Sequence, residues 1–217
     1  MMLFAVLVVA SLAQERFEAG DPAAALQLLQ ETPELTNPVW RYNRALSAHA
    51  VGQMGTAMAD YEWLNLRDPQ DDAVRINRLL ARLDRGAGDD AEPPMGYLVR
   101  LPLRSLMLVG LLAVGLALWR RRRDALTRGA RGLAMLCLVL FAGQHLLLAL
   151  DSRNVAVAEC SLRERPEASA RRVIDLPAGN LLHVVAAQGD WIEVRTGSGV
   201  RGWLKRSDLV ALDGVGE

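Results

Sequence analysis

The sequence predicts a multidomain membrane protein: α-helical repeats, then a two-helix transmembrane hairpin, then a small all-β barrel. Three observations carry this expectation. Aligning the chain with itself at an offset of 34 sets "RYNRAL" (Arg41 to Leu46) over "RINRLL" (Arg75 to Leu80), with four of six residues identical. Two long apolar segments flank the arginine-rich run "LWRRRRDALTRGARG" (Leu118 to Gly132). Beyond them the pattern changes to short β-rich runs separated by Gly and Pro turns.

Composition narrows the function classes. A chain that is 51% hydrophobic but only 5% aromatic is unusual for one soluble core, so its apolar residues must be concentrated. The 25 basic and 25 acidic residues cancel, which argues against the broad basic excess of a nucleic-acid binder. Of the two cysteines, Cys137 lies inside an apolar run and Cys160 beyond it, a poor basis for a disulfide or a metal site. The chain has no phosphate-binding glycine loop, His-Glu-x-x-His pattern or Cys-x-x-Cys pair. His183, Asp190 and Ser198 lack the context of a nucleophile elbow. The expectation is a non-enzyme without cofactor or metal.

Residues 1–13, "MMLFAVLVVASLA", carry an apolar stretch ending in small residues but no basic leader, and read as a signal peptide or an N-terminal apolar anchor. Residues 14–86 follow the 34-residue period. Gly52 falls on Gly86, and Ala45, Ala57, Tyr61 and Asp68-Pro69 supply the small and turn residues of a helix-turn-helix unit. These positions resemble tetratricopeptide repeats, whose units bury their apolar faces only by stacking. A degenerate earlier copy, "RFEAGDPAAALQLLQ", precedes them. Asp71 or Asp72 is expected to cap a final helix whose Arg75, Arg78, Arg82 and Arg85 give a terminal repeat its polar face. The resemblance implies that Asn43 and Asn77 face a concave groove and contact a ligand backbone; the alternative is an ordinary solvated helix face. Residues 87–97 read as a linker.

Residues 98–119 and 133–150 are the expected spans. The second holds 18 residues without a formal charge, about 27 Å of helix against a hydrocarbon core of about 30 Å. The first reaches spanning length with Arg104 extended toward the interface. Residues 120–132 between them carry Arg120, Arg121, Arg122, Arg123, Arg128 and Arg131, which the positive-inside rule assigns to the cytoplasm, beside anionic headgroups of the lipid bilayer. Both termini then face away from the cytoplasm, which in a bacterial inner membrane is the periplasm.

Residues 151–217 hold the runs "NVAVA", "RRVIDL", "LLHVVAA", "WIEV" and "VRGWLK". Leu162, Arg165, Pro166, Gly179, Trp191, Val194, Gly202 and Trp203 resemble the pattern of bacterial SH3-like domains. Arg163, Glu164 and Glu167 depart from it at the first motif. Trp191 and Trp203 are candidates to line a groove for a peptide or for peptidoglycan; the competing reading makes them core, because a barrel this small needs large side chains to bury area.

The order of these parts resembles the tetratricopeptide (BatE-like) protein of the bacterial aerotolerance (Bat) operon. That resemblance implies a non-catalytic scaffold working beside membrane-anchored von Willebrand factor A proteins and a MoxR-type ATPase. The alternative is a peptidoglycan-binding tether or sensor acting through the SH3-like part.

Overall fold

The computed structural model describes residues 2–31, 36–86, 88–91, 110, 135–140, 142–143 and 153–212. The chain divides into two compact units, Met1–Glu92 with Ser152–Glu217, and Pro93–Asp151. In the first unit five helices, α1 (Met2–Glu18), α2 (Pro22–Glu31), α3 (Pro38–Ala50), α4 (Met54–Arg67) and α5 (Asp72–Arg85), precede seven strands. The strands are β1 (Arg153–Ala156), β2 (Cys160–Arg163), β3 (Arg172–Leu176), β4 (Leu181–Gln188), β5 (Trp191–Arg195), β6 (Arg201–Lys205) and β7 (Leu209–Ala211).

The 34-residue period is visible in the helix caps. Asn37 accepts the Val39 and Trp40 N–H groups at the start of α3, and Asp71 accepts those of Ala73 and Val74 at the start of α5. Asp71, not Asp72, is therefore the cap. Each leading helix ends at a glycine with positive φ: Gly20 at 83°, Gly52 at 79° and Gly86 at 83°.

Helix α4 packs against α3, α5 and β1, so Ala57 to Leu64 are buried without interruption. Two of those residues are acids. Asp60 is held by Arg41 at 2.8 Å and Arg44 at 2.6 Å. Glu62 is held by Arg78 at 2.5 Å and Arg82 at 2.9 Å, with Arg153 of β1 at 4.0 Å. A carboxylate can be buried at tolerable cost only with such partners. They turn Arg78 and Arg82 inward from the polar outer face expected of α5, and Arg85 likewise turns in to Asp90 at 2.7 Å. Ile76, Leu79, Leu80 and Leu83 occupy the outward stripe instead.

The strands form one antiparallel sheet in the order β3-β2-β6-β5-β4-β1-β7. Its own core is aliphatic: Ala156, Leu162, Leu176, Leu182, Ile192, Val194 and Leu204. A second core is shared with the helices, where Ala57, Met58 and Tyr61 meet Val155, Leu181 and Leu212. The approach is close enough that a Cβ on Gly55 would fall 1.8 Å from the Val157 carbonyl oxygen, so only glycine fits there.

The stretch expected as a linker docks on the sheet over Asp89–Ala91. Arg85 binds both Asp90 oxygens, at 3.0 and 2.7 Å, and the Gly179 carbonyl at 2.6 Å. Asp90 in turn accepts the Leu181 N–H, and the Ala91 N–H donates to the Leu181 carbonyl. Asp89 accepts both the N–H and the hydroxyl of Ser198 in the β5–β6 turn, at 2.7 and 2.5 Å. Partial burial alone would raise the Asp89 pKa, but the hydrogen bonds from Ser198 and Thr196 outweigh it and hold the group below the usual carboxylate range.

The membrane fold class requires correction. Among the described residues no helix is long and apolar enough to cross a membrane. The architecture is a helical repeat fused through a common core to an antiparallel sheet. The expected spans, 98–119 and 133–150, and the basic loop, 120–132, fall almost entirely outside the described residues; what is described of them is Gly110, a helical run over 135–140 and residues 142–143. The N-terminal apolar stretch belongs to α1, whose Ala10 and Ala13 are buried while Gln14, Glu15, Arg16 and Glu18 are exposed. Ala13 packs with Ala25, Leu29 and Trp40, whereas Val8 and Leu12 on the same helix are exposed.

Replacing Glu62 by Ala strands Arg78 and Arg82 beside a void, and is expected to destabilise the fold by about 3–5 kcal/mol in urea denaturation. The exposed Glu164–Arg171 pair, 3.8 Å apart, provides the control: Arg171→Ala should leave the midpoint unchanged. Asp89, with its depressed folded pKa, contributes fully above its unfolded value near 4, and the contribution is lost as pH falls through the lower folded value. Asp89→Asn should therefore flatten the acid limb of a Tm against pH curve and leave its neutral slope intact.

Candidate functional site

Alternation along β5 and β6 separates an inner from an outer row. Ile192 and Val194, with Gly202 and Leu204, point into the aliphatic core, while Trp191, Glu193 and Arg195, with Arg201, Trp203 and Lys205, occupy the opposite face. Gly202 is required where it stands, because a Cβ there would lie 2.8 Å from that of Leu162. Both tryptophans are half-buried on the outer face. The reading of Trp191 and Trp203 as barrel core does not hold: aliphatic residues of the sheet fill that space, and the core shared with α4 supplies burial that a free-standing barrel would lack.

Register assembles this face into cross-strand rows. One row runs Ala186, Glu193, Trp203, Arg163 and Arg172 across β4, β5, β6, β2 and β3. On one side of it lie Gln188, Trp191 and Lys205, and on the other His183, Arg195 and Arg201. Directly opposite residues share a face with Cβ atoms about 4.5–5.5 Å apart. Two indole rings thus sit among several cations and one carboxylate. Among the described residues Arg172, Arg195, Arg201, Lys205 and Glu193 form no ion pair. Arg163 is tied down through a hydrogen bond to the Ala170 carbonyl at 2.9 Å.

Residues 158–210 match the family model of the bacterial SH3 domain. The matched segment runs from just before β2 into β7, and contains both tryptophans and all of β5 and β6. Strand β1, which joins the sheet to α4, lies outside it. No curated protein and no solved structure matches the chain.

The other pair of expected site residues belongs to the helices. Asn43 lines a cleft of about 370 Å³ between α1 and α3, together with Phe17, Glu18, Val39, Tyr42 and Leu46. Its amide donates to the Ala10 carbonyl on α1 at 3.1 Å. Asn77 is not part of that cleft; its amide donates to the Tyr42 hydroxyl on α3 at 2.9 Å and to the Ala73 carbonyl at 3.0 Å. The two asparagines therefore do the same work one period apart, each tying its leading helix to the preceding one. Burial pushes the Tyr42 phenol above its ordinary pKa, against the opposing effect of the Asn77 bond.

Cys137 and Cys160 carry free thiols. Burial, followed by the nearby Asp208 and Asp175 carboxylates, pushes the Cys160 thiol up to about 11, which makes it a poor nucleophile near neutral pH.

Sequence reasoning singled out Trp191 and Trp203 but passed over Glu193, Arg195, Arg201 and Lys205. The signal was present in the alternation of "WIEVR" and "RGWLK", which places each of these at an even spacing from a tryptophan. Adjacent residues of β6 test the assignment of faces. Leu204→Ala is expected to destabilise by about 2–5 kcal/mol as a core truncation. Trp203→Ala should cost less than Leu204→Ala despite removing a larger side chain, a comparison that urea denaturation of the two variants makes directly.

Proposed function

We propose that this chain is a non-catalytic binding protein whose SH3-like sheet engages peptidoglycan through the outer face carrying Trp191 and Trp203. The observation that supports this is the outward placement of two half-buried indoles on neighbouring strands of the family-matched segment. Aromatic faces held at fixed spacing bury much area on a ligand at small entropic cost. The helical repeat serves as a rigid base. Asp89, in the stretch that follows α5, holds the β5–β6 turn through Ser198, and α4 backs the sheet at β1. A peptidoglycan ligand requires this module to act in the cell envelope, outside the cytoplasm.

A second reading is favoured by the cleft between α1 and α3. Its apolar wall, formed by Phe17, Val39, Tyr42 and Leu46, suits an extended segment of a protein partner. This is the adaptor role implied by the BatE-like resemblance, with von Willebrand factor A proteins and a MoxR-type ATPase as the partner system.

Co-sedimentation of the full chain with purified sacculi tests the first reading. Wild-type protein should pellet, and Trp191→Ala with Trp203→Ala together should reduce the bound fraction at least about tenfold. Equal pelleting of the double variant would refute the outer face as the binding surface. Loss of a co-purifying protein partner in a Phe17→Ala variant that still pellets normally would favour the cleft as a separate site.

A further inference from the structure

The cations of this molecule are distributed unevenly. In the helices, Arg41, Arg44, Arg78, Arg82 and Arg85 all face carboxylates. On the outer sheet face, Arg195 and Arg201 stand directly opposite one another across β5 and β6, and neither has a counter-ion among the described residues. Like charges in directly opposed positions of a sheet disfavour the fold. Asp89, the acid that reaches the same turn, is engaged by the Ser198 N–H and hydroxyl. Lys205 lies opposite Trp191 at the other end of the hairpin, so the tryptophans are bracketed by positive charge.

Glu193 breaks the pattern. It lies between Trp191 and Arg195 along β5 and opposite Trp203, the one carboxylate in the middle of the two-stranded face. A uniform polyanion would meet repulsion there. A ligand carrying carboxylates at its ends and an ammonium between them would not.

Building on the proposed peptidoglycan-binding face, we infer that its ligand is a short peptide of mixed charge. One carboxylate bridges Arg195 and Arg201, an ammonium is received by Glu193, and the peptide body lies on Trp191 and Trp203. The bridging carboxylate converts a like-charge contact into two charge-assisted hydrogen bonds. Glu193 sets specificity by selecting a ligand whose amine is free over one whose amine is blocked by an amide bond.

The test titrates the full chain with N-acetyl-Ala-Glu-Lys-Ala bearing a free C-terminus, and reads tryptophan fluorescence. Controls are the same peptide with acetyl-lysine, the same peptide with Gln for Glu and an amidated C-terminus, and a single-stranded oligonucleotide as uniform polyanion. Arg195→Gln with Arg201→Gln should weaken the free peptide at least about tenfold, and should raise Tm slightly without ligand as the opposed charges are removed. Glu193→Gln should abolish the preference for lysine over acetyl-lysine.

Unchanged affinity in the double arginine variant, or equal binding of the free and the amidated peptide, overturns the inference. Tight oligonucleotide binding that depends on the same arginines overturns it in favour of a general anion surface. If the arginine variants behave as wild type while the tryptophan variants lose sacculus binding, the proposed face stands and only the charge reading falls. If the tryptophan variants bind sacculi normally, the face itself is lost.

Discussion

Burying the Glu62 carboxylate is the constraint around which the first unit is organised. A side chain with no solvent exposure on the central helix must be met by cations from more than one direction, and two elements converge to supply them: two arginines from α5 and one from β1. That convergence fixes the rotation of α5 about its axis, brings the first strand of the sheet against α4, and sets where the chain leaves α5 toward Asp89. Asp60 repeats the arrangement one helical turn-half away, facing α3. The apolar contacts around α4 supply most of the burial, but they are less directional than the ion pairs, and the ion pairs decide which faces meet.

Much of the helical part was legible because its punctuation is chemical. Asn37 and Asp71 cap for the same reason, and Gly20, Gly52 and Gly86 end helices for the same reason, so the near-regular spacing of these residues translates directly into repeated structure. The polarity of α5 was misread because an arginine in sequence gives no sign of whether water or a buried carboxylate will hold it. "MADYEWL" looks half solvated, yet Asp60, Tyr61 and Glu62 are all inaccessible, and the arginines of the next helix follow them inward. Hydropathy likewise led to the expectation of a spanning hairpin, but among the described residues no helix has the length and composition to span.

On the sheet side, strand positions could be read from turns and β-rich runs, but the facing of the tryptophans could not be derived from the argument that small barrels need aromatic cores. That argument presumes a barrel that folds alone. Here Val155, Leu181 and Leu212 find their cover on α4, and the sheet's own interior is closed by aliphatic side chains. The indoles are thereby released to the other side. Alternation within two five-residue strands held the information, and only the assumption of self-sufficiency obscured it.

The shared core also alters where one protein ends and another could begin. The segment recognisable as SH3-like, 158–210, excludes β1, and with it the strand that seats the sheet on the helices. Cut out at those limits and grafted elsewhere, it would carry one half of an apolar seam with Leu181 open to water, and the turn bearing Arg195 and Arg201 would lose the Asp89 anchor. The unit available to recombination, or to anyone expressing a fragment, is therefore the helices and the sheet together, because neither is a complete surface without the other.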